Sequence, residues 1–562
     1  MYAEQQQSAA LNPFEPTRFV GVVGQVKTSA VEVALDLERH IPDAPFGVRV
    51  GDYLLVEAGK CVIMGQVIDI RLPEMASPTD RPDFQIGIVN LMTTIELEYG
   101  TITPGVLNRP RPGDRVFYAS GSFVKLVIEA KNGEASKDQV TLSYAHLLDS
   151  QLSPLRFTPE MLFGRHCAIV GTTGGGKSWS VARLVEQCAQ HKSKVILFDA
   201  TGEYGSLGGP VLHVYLGSHP APTPDMREVV LPYYQLNEND LFAIFRPTGQ
   251  SQATKLRAAI KTLKLVKVSP NLALDGLVVK ANRSKDQFDA EYGRHIDTVE
   301  NPTADFDMSK LVRQIQNECV FPTRSALEPH YWGDVNGAEQ SQCVPMLNRI
   351  SDMIQSSNLA PIFQPMKKPS LLDVIERFLE HKDFRVLCIS LQHLSFMYHA
   401  REIIANAAGR YLLGLSRLER FVHCPLLVLV DEAHQFLNQE LEQDAGYPLD
   451  SFGLIAKEGR KYALNICIAT QRPRDIPESV LSQMGTLIVH RLINDRDRAV
   501  VERAAGSVDK NTLSMLPALA PGQAMILGVD FPVPILAQVE RPTCPPRSEG
   551  PRYQKFWHDP GL

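Results

Sequence analysis

The chain has 562 residues, too many for one compact core, and at about 100–200 residues per domain it should form three or four units. Hydrophobic residues make up 44% and charged residues 21%, which excludes wholesale disorder and fibrous repeats. The 57 Lys and Arg residues against 63 Asp and Glu residues give a net charge of −6. This balance excludes proteins that coat nucleic acid by bulk positive charge, but a local basic surface, such as the lining of a ring, is compatible with it.

Residues 18 to about 150, after a tail over residues 1–17, consist of short Val-, Ile- and Tyr-rich segments separated by Gly, Pro and Asp. Segments such as RFVGVVGQV, CVIMGQVIDIRL and RVFYAS have the composition of strands. Their spacing predicts a small β-barrel rather than parallel-sheet units. No chemistry-bearing cluster occurs among them, so we interpret this region as a structural or assembly module.

The pattern changes at Gly164, where buried strands begin to alternate with amphipathic helices. This alternation over 151–224 and 381–542 predicts the α/β class, with a parallel sheet covered on both faces. Between the two segments, residues 225–380 are predicted to be a helical insertion. A Pro- and Arg-containing tail follows over 543–562.

A glycine-rich turn, GTTGGGKS, lies between the strand HCAIV and the helix WSVARLVEQCAQ, and it matches G-x-x-x-x-G-K-[ST] at each fixed position. Glycines let backbone N–H groups face phosphate oxygens at a helix N-terminus, whose dipole favours anions. Lys177 would reach the β- and γ-phosphates, and the Ser178 hydroxyl would bind Mg²⁺. The predicted nucleotide-binding residues of this loop are Gly171, Thr173, Gly174, Gly175, Gly176, Lys177, Ser178 and Trp179.

Acidic residues follow two of the predicted strands. In LLVLVDEAH, Asp431 at the strand end would hold Mg²⁺ through a water, and Glu432 would polarise the attacking water, which indicates a hydrolase. In VILFDATGEYG, Asp199 and Glu203 would orient water or magnesium near the nucleotide, or else serve as capping and turn residues.

Further polar residues flank the predicted strands. Gln471 lies in ATQRP, residues 469–473, at the end of the strand that follows LLVLVDEAH. Its neutral amide would sense the γ-phosphate by hydrogen bonding. Arg460 or Lys461, in KEGRKY, would neutralise transition-state charge, often from a neighbouring subunit in ring ATPases. Arg165, just before the first strand, would approach the phosphates or remain on the surface.

A run of basic residues in the insertion has two interpretations. It would contact DNA phosphates, which require charge but no base-specific geometry, or it would form a solvated helix face, the reading that we favour. The residues are Lys255, Arg257, Lys261, Lys264, Lys267, Lys280, Arg283 and Lys285.

The order of these motifs resembles the HerA family of hexameric DNA-translocating ATPases in the HerA/FtsK group. The resemblance extends from about residue 18 to 542 through GRHCAIVGTTGGGKS, ILFDATGEYG, LLVLVDEAHQF, GRKYALNICIATQRP and APGQAMILG. It implies a RecA-like P-loop core, an assembly barrel, ATP and Mg²⁺ as ligands, and a homohexamer with double-stranded DNA in its pore. It also implies a separate nuclease, sirtuin-like or other effector docked on the barrel face, in DNA end processing or anti-phage defence. Residue by residue, it gives Lys177, Ser178, Asp431, Glu432, Gln471 and Arg460 or Lys461 the roles described above.

Two alternatives share these motifs. The chain would be a nucleotide-stabilised scaffold ring that activates an effector with little translocation, or a conjugation-type pump, which usually carries membrane segments. The aliphatic runs here, such as Leu426–Val430, are far shorter than the ~18 residues of a membrane span, and MYAEQQQSAA lacks the features of a secretory signal. A two-RecA DEAH helicase is disfavoured, because Lys177 and Asp431 are 431 − 177 = 254 positions apart.

Cysteine usage bears on the compartment. The nine cysteines are scattered singly, with no Cys-x-x-Cys pair, and several lie in strand-like sequence such as VLCIS and ICIAT. We therefore expect buried free thiols in a cytoplasmic protein rather than disulfides or metal clusters.

Overall fold

The computed structural model describes residues 12–37, 41, 47–73, 82–130, 139–148, 154–365, 367–437, 449–506, 510–548, 550 and 553–557. Most of the tail predicted over residues 1–17, and part of the one predicted over 543–562, lie outside these ranges. The chain divides into two compact units. Unit 1 comprises residues 1–193 and 465–562, and unit 2 comprises residues 194–464.

The N-terminal part of unit 1 is a β-barrel, as predicted. Its strands are β1 (Phe19–Val26), β2 (Ala30–Asp36), β3 (Tyr53–Ala58), β4 (Cys61–Arg71), β5 (Phe84–Glu96), β6 (Thr101–Pro104) and β7 (Arg115–Tyr118). They pair in the order β2-β1-β7-β3-β4-β5, and antiparallel pairing of β2 with β5 closes the barrel, while β6 adds to β5. Alternate residues of β2, namely Val31, Val33 and Leu35, point into the core, because successive side chains face opposite sides of a strand.

Unit 1 also contains a mixed sheet. Its strands are β8 (Leu142–Leu147), β9 (Leu155–Phe157), β10 (Cys167–Val170), β16 (Leu464–Thr470), β17 (Thr486–Val489), β18 (Gln523–Gly528) and β19 (Ile535–Val539). Strands β16, β10 and β17 are parallel, whereas β17-β18-β19-β8-β9 are antiparallel. The parallel strands predicted from the strand–helix alternation thus continue into antiparallel ones, since the short connection between β18 and β19 permits only an antiparallel hairpin.

The barrel strands end earlier than the predicted limit of residue 150. The last of them, β7, is followed by α1 (Gly121–Glu129), and β8 then pairs with β19 in the mixed sheet. The sequence of β8 has the same strand-like composition as the barrel strands, so composition alone could not assign it to either sheet. The other helices of unit 1 are α2 (Pro159–Phe163), α3 (Lys177–Ala189), α14 (Glu478–Leu481), α15 (Asp495–Ala505), α16 (Lys510–Leu513) and α17 (Tyr553–Trp557).

Unit 2 contains the parallel sheet that the sequence predicts. Its strands are β11 (Lys194–Asp199), β12 (Val211–Tyr215), β13 (Met226–Glu228), β14 (Val386–Ser390) and β15 (Leu426–Val430). They run parallel in the order β13-β12-β14-β11-β15. The residues of β11, β14 and β15 are all buried, as expected for strands covered on both faces.

The remainder of unit 2 is mainly helical, including most of the segment predicted as an insertion. Its helices are α4 (Glu238–Phe245), α5 (Gly249–Val268), α6 (Asp286–Arg294), α7 (Ile296–Val299), α8 (Leu311–Glu318), α9 (Gly337–Gln355), α10 (Ala360–Phe363), α11 (Leu371–Glu380), α12 (Ala400–Arg417) and α13 (Ser451–Glu458). The first strand of the segment 225–380, β13, belongs to the parallel sheet, so the helical part begins after it.

The basic run of the insertion is engaged within unit 2. Each Lys or Arg of α5 contacts a carboxylate or a carbonyl oxygen, and Lys280 is buried against Glu318 with an Nζ–Oε2 distance of 2.6 Å. These contacts support the interpretation of the run as a structural surface rather than a DNA-binding one. The pairs are Lys255–Glu339, Arg257–Glu238, Lys261–Glu300, Lys264 with the carbonyl of Asn301, Lys267–Asp305 and Lys280–Glu318. Lys285 donates to the Pro329 carbonyl, and Arg283 is exposed.

Two further expectations concern the burial of the cysteines and the presence of membrane-spanning helices. Most of the nine cysteines are buried and none is paired, whereas Cys424 is exposed and Cys544 is partly exposed. Within the part of the chain that the structure describes, no helix combines the length and the apolar character that crossing a membrane requires.

Candidate active site

The phosphate loop connects β10 to α3 in unit 1. Gly174 and Gly176 have φ angles of +76° and +116°, a region that residues with a Cβ rarely adopt. A Cβ on Gly176 would also lie 3.0 Å from the backbone of Gly522. Lys177 is the first residue of α3 and only 6% exposed, so its side chain is buried at the N-terminal end of this helix. The loop and this helix end have the form of an anion site, which fits a nucleotide phosphate.

Side chains on either side of Lys177 complete the loop. Ser178 and Trp179 are partly exposed in the first turn of α3, and Thr173 is exposed. Gly171 donates its N–H to the Thr470 carbonyl at 3.4 Å, and the Gly175 N–H donates to the Thr172 carbonyl at 2.9 Å. The predicted loop residues are thus contiguous on one turn, with the Ser178 hydroxyl next to Lys177, as a magnesium ligand of this loop requires.

Gln471 lies beside the phosphate loop. Strand β16 runs parallel to β10 with Thr470 opposite Val170, so the residues that follow these strands meet at the same edge of the sheet. The Thr173 hydroxyl donates to Gln471 Oε1 at 2.5 Å. The structure therefore brings together the predicted loop and the predicted γ-phosphate sensor.

Of the two roles considered for Arg165, an approach to the phosphates and a surface position, the structure supports the surface position. Arg165 precedes β10, whereas the loop follows β10, and the four-residue strand between them is about 13 Å long. Its guanidinium lies on the surface, with Nε 3.6 Å from Asp530 Oδ2. The sequence showed that Arg165 is near the strand, but the direction of the strand places it at the opposite edge.

His490, which follows β17, supports the loop and was missed by the sequence analysis. The His490 side chain is fully buried, with Nδ1 2.8 Å from the Gln523 carbonyl and Nε2 2.6 Å from the Ser180 hydroxyl. Burial lowers the pKa of His490 to about 4, and the charge of Lys177 acts in the same direction, so the imidazole is neutral at physiological pH. The available signal was a single polar residue closing the aliphatic strand TLIV, and we interpreted that segment only as a strand.

The acidic residues of unit 2 meet at the carboxyl ends of two neighbouring strands. Strand β11 pairs in parallel with β15, with Phe198 opposite Val430, so Asp199 and Asp431 both follow this pair of strand ends. Asp431 is fully buried and accepts a hydrogen bond from the Tyr204 hydroxyl at 3.1 Å. Two carboxylates at one edge provide the oxygen ligands that Mg²⁺ prefers.

The Asp199 carboxylate shapes the turn that follows β11. It accepts backbone N–H groups from Gly202, Glu203 and Tyr204 at 2.7–3.1 Å. Burial, followed by the charge of Asp431, raises the pKa of Asp199 to about 7, although the three N–H groups act in the opposite direction. Of the two predicted roles of Asp199, these contacts support the turn role. Glu203 contributes its backbone N–H to the same turn.

Glu432 has a strained backbone conformation next to Asp431. Its φ of +47° is in the left-handed region, and the residue is 4% exposed. Its Oε2 atom lies 3.3 Å from His434 Nδ1. A carboxylate fixed in this way directly after the metal-binding candidate Asp431 has the position expected of a residue that orients a water molecule.

Arg401, on α12, holds the loops that follow two strands of unit 2 and was also missed by the sequence analysis. Its guanidinium donates to the carbonyls of Leu394, Gln392 and Ala200 at 2.8, 2.7 and 3.4 Å. It lies 3.8 Å from the centre of the Phe396 ring. Because Arg401 and Ala200 are 201 positions apart, no local sequence pattern could predict that one guanidinium contacts both loops.

Arg460 and Lys461 lie on the turn Gly459–Tyr462 and are exposed. The Leu426 N–H donates to the carbonyl of Ala463, which places this turn at the amino end of β15. Asp431 follows the carboxyl end of that five-residue strand, about 16 Å away. Within unit 2, the basic pair and the acidic pair are therefore at opposite edges of the sheet.

Comparisons with known proteins give the family of the chain. The family model "Helicase HerA, central domain" matches residues 142–320. The chain is 37% identical over 461 residues to the DNA double-strand break repair helicase HerA of Pyrococcus furiosus, covering 73% of this chain and 74% of that protein. The chain belongs to the HerA helicase family.

Other relatives are more distant. A probable DNA double-strand break repair helicase HerA of Methanocaldococcus jannaschii is 22% identical over 429 residues, covering 71% of this chain and 76% of that protein. Among solved structures, the plasmid coupling protein TrwB in complex with ADP and Mg²⁺ aligns with a TM-score of 0.45 and 13% identity, covering 74% of this chain and 92% of that chain. The α/β P-loop fold with an N-terminal barrel is confirmed, and as a HerA protein the chain is an ATPase of the helicase class.

The raised pKa of Asp199 predicts a specific pH dependence of stability. The folded-state pKa of about 7 exceeds the unfolded value of about 3.9, so the stabilising contribution of the proton is complete below about pH 4 and is lost as the pH rises through 7. In EDTA and without nucleotide, the free energy of urea unfolding of the wild type should fall relative to that of Asp199→Asn by up to about 1.4 kcal/mol per pH unit between pH 5 and 7. Asp69→Asn, at an exposed position on β4, is the control and should follow the wild type. Parallel pH profiles of wild type and Asp199→Asn would contradict the assignment.

Proposed function

We propose that this HerA protein is an ATP-driven motor that assembles as a homohexamer and moves double-stranded DNA through its central pore. The observation that carries the proposal is the phosphate loop with Lys177 at the N-terminus of α3 and Gln471 hydrogen-bonded to its Thr173. This arrangement is suited to ATP, because it binds phosphate and places a neutral amide where the γ-phosphate changes during hydrolysis. The Pyrococcus furiosus relative, a DNA double-strand break repair helicase, supports DNA as the substrate.

The residue roles follow from the chemistry of each side chain. Backbone N–H groups of the loop and Lys177 bind the phosphates, and Ser178 and Asp431 would hold Mg²⁺. When bound, Mg²⁺ supplies charge neutralisation of the phosphate oxygens. Glu432 orients and deprotonates the attacking water, and its buried, constrained position supports this role.

A basic finger from a neighbouring subunit completes the proposed site. Arg460 and Lys461 are exposed and lie at the opposite sheet edge from Asp431, so within unit 2 they cannot act on the acidic pair. In a ring, an exposed basic pair of this kind would contact the nucleotide bound by the adjacent subunit. There its guanidinium or ammonium group would stabilise the negative charge of the transition state.

The proposed location and partners follow the resemblance. We infer a cytoplasmic ring whose barrel docks a separate effector, a nuclease or a sirtuin-like protein, in end processing or anti-phage defence. The closed barrel supports this division of labour, since its described strands carry no part of the phosphate loop or of the acidic pair. With the basic run of α5 engaged inside unit 2, we expect the DNA contacts to come from other surfaces of the ring.

Substitution of the two halves of the site should separate binding from hydrolysis. Lys177→Ala should abolish ATP binding, because the ammonium group that meets the phosphates is lost. Glu432→Gln should bind ATP with wild-type affinity but hydrolyse it slower by about two to four orders of magnitude, as expected when a general base is removed. The measurements are ATP binding by calorimetry and steady-state ATPase, each with and without duplex DNA. Wild-type hydrolysis by both variants would refute the proposed site.

Mixed rings test whether the basic finger acts between subunits. Rings of Lys177→Ala alone and of Arg460→Ala/Lys461→Ala alone should both be inactive. Co-expressed in equal amounts, they should regain activity at about a quarter of the interfaces, where an intact loop meets an intact finger. If Arg460 and Lys461 act within their own subunit, no mixed interface is complete and the mixture stays inactive. Co-expression of Lys177→Ala with Glu432→Gln should stay inactive and is the negative control, and co-purification of the two differently tagged variants confirms that the subunits mix.

A further inference from the structure

We propose that His490 is a positioning residue for ATP binding, which holds the glycine backbone of the phosphate loop in its phosphate-binding form through its hydrogen bond to Ser180. The inference rests on the proposed function, in that it requires the loop to bind ATP. It assigns a role to a buried histidine that lies outside the sequence motif G-x-x-x-x-G-K-[ST], more than 300 positions further along the chain.

The place of His490 follows from the register of the sheet. Strand β17 runs parallel to β10 on the side away from β16, with Val489 opposite Val170. The His490 N–H donates to the Val170 carbonyl at 2.8 Å, so His490 lies next to Gly171, where the loop begins. The loop therefore has Gln471 on one side and His490 on the other.

The hydrogen bonds of the imidazole fix its tautomer. A carbonyl oxygen can only accept, so Nδ1, at 2.8 Å from the Gln523 carbonyl, carries the proton. In the neutral ring Nε2 is then an acceptor, and the Ser180 hydroxyl donates to it at 2.6 Å. Ser180 is in the first turn of α3, where its N–H donates to the Gly176 carbonyl at 2.9 Å. The ring thus joins the β18 backbone to the helix that follows the phosphate loop.

The same ring fills the space behind the glycines. A Cβ added to Gly171 would lie 2.6 Å from the Cβ of His490, and one on Gly175 would lie 3.5 Å from it. A Cβ on Gly176 would lie 3.3 Å from His490 Cε1. His490 therefore packs along three of the four loop glycines.

Neighbouring backbone groups hold the rest of the loop from the same side. The Arg491 carbonyl accepts from both the N–H and the hydroxyl of Thr172, at 2.9 and 3.0 Å. The Gly522 N–H donates to the Gly175 carbonyl at 3.0 Å. The Gly522 bond turns the Gly175 carbonyl towards the protein, and the two bonds to Arg491 fix Thr172 near the start of the loop. A loop held in this form before ATP arrives does not lose conformational entropy on binding, so affinity rises.

Two substitutions of His490 separate the two hydrogen bonds. Asn places a donor near the position of Nδ1 and keeps the bond to Gln523, but it cannot reach Ser180. Gln places an acceptor near the position of Nε2 and keeps the bond to Ser180. If the link to α3 positions the loop, His490→Gln should retain ATP affinity within about threefold, whereas His490→Asn and Ser180→Ala should each weaken it about tenfold. The double variant His490→Asn/Ser180→Ala should be no weaker than His490→Asn, because both changes remove the same bond.

The measurements are the Kd for ATP with Mg²⁺, KM and kcat of hydrolysis, and hydrogen exchange of the loop amides without nucleotide. We expect KM to rise with Kd while kcat changes less than about threefold, together with faster exchange of the loop amides in His490→Asn. His166→Ala is the matched control: His166 is a buried histidine at the other end of β10, where its Nδ1 accepts from the Ile466 N–H at 3.1 Å. It should lower the melting temperature without changing the Kd for ATP.

Either of two results would overturn the proposal. One is a His490→Asn variant that binds ATP as the wild type does, with or without a lower melting temperature. The other is equal loss of affinity in His490→Asn and His490→Gln, or additive losses with Ser180→Ala, which would indicate general packing. Lys177→Ala, measured in parallel, distinguishes the two levels of the argument. If it binds ATP normally, the proposed function fails; if it does not, a normal His490→Asn refutes only the role of His490.

Discussion

Parallel strand pairing determines where the chemistry of this HerA protein lies. Because parallel strands end at the same edge of a sheet, the segments that follow them are brought together whatever their separation in sequence. In unit 1 this places Gln471 beside the loop that starts at Gly171, about 300 positions earlier along the chain. In unit 2 it places Asp431 beside Asp199. Each group of site residues therefore depends on strand register more than on any local motif.

Burial of the polar side chains of the site costs free energy, and it also fixes their positions. Lys177, Asp199, Asp431, Glu432 and His490 are all buried. Groups of this kind persist in a folded protein when hydrogen bonds or neighbouring charges compensate for the loss of water. Asp199 receives three backbone N–H groups, and neutral His490 makes two hydrogen bonds. The result is a set of side chains with little freedom, which is what a preorganised phosphate site requires.

The sequence predicted the parts of the site that have a fixed local pattern. The phosphate loop, the acidic strand end at Asp431 and the position of Gln471 depend on a strand followed by a particular turn, and all of them were found at strand ends. The sequence left two roles open for Arg165, near the phosphates or on the surface, and the direction of β10 supports the second. The contacts of His490 and Arg401 were not predicted, because they depend on which strands and loops become neighbours.

The fold was predictable to a similar degree. Strand composition indicated the barrel, and strand–helix alternation indicated the parallel strands, but neither could show that β8 leaves the barrel for the mixed sheet. The positive charge of the basic run in α5 could not by itself show whether it binds DNA. That depends on the carboxylates of α4 and α9, which pair with it in the folded chain. Long-range pairing of this kind requires the three-dimensional structure.

The central claim is that ATP hydrolysis moves the ring along duplex DNA, rather than serving only to assemble an effector complex. The most direct test is displacement of a third strand from a DNA triplex, with ATPase measured in the same reaction. We predict displacement by the wild type with ATP, and none by Glu432→Gln or with a non-hydrolysable ATP analogue. Wild-type protein that hydrolyses ATP and binds duplex DNA but leaves the third strand in place would contradict the claim and favour a scaffold.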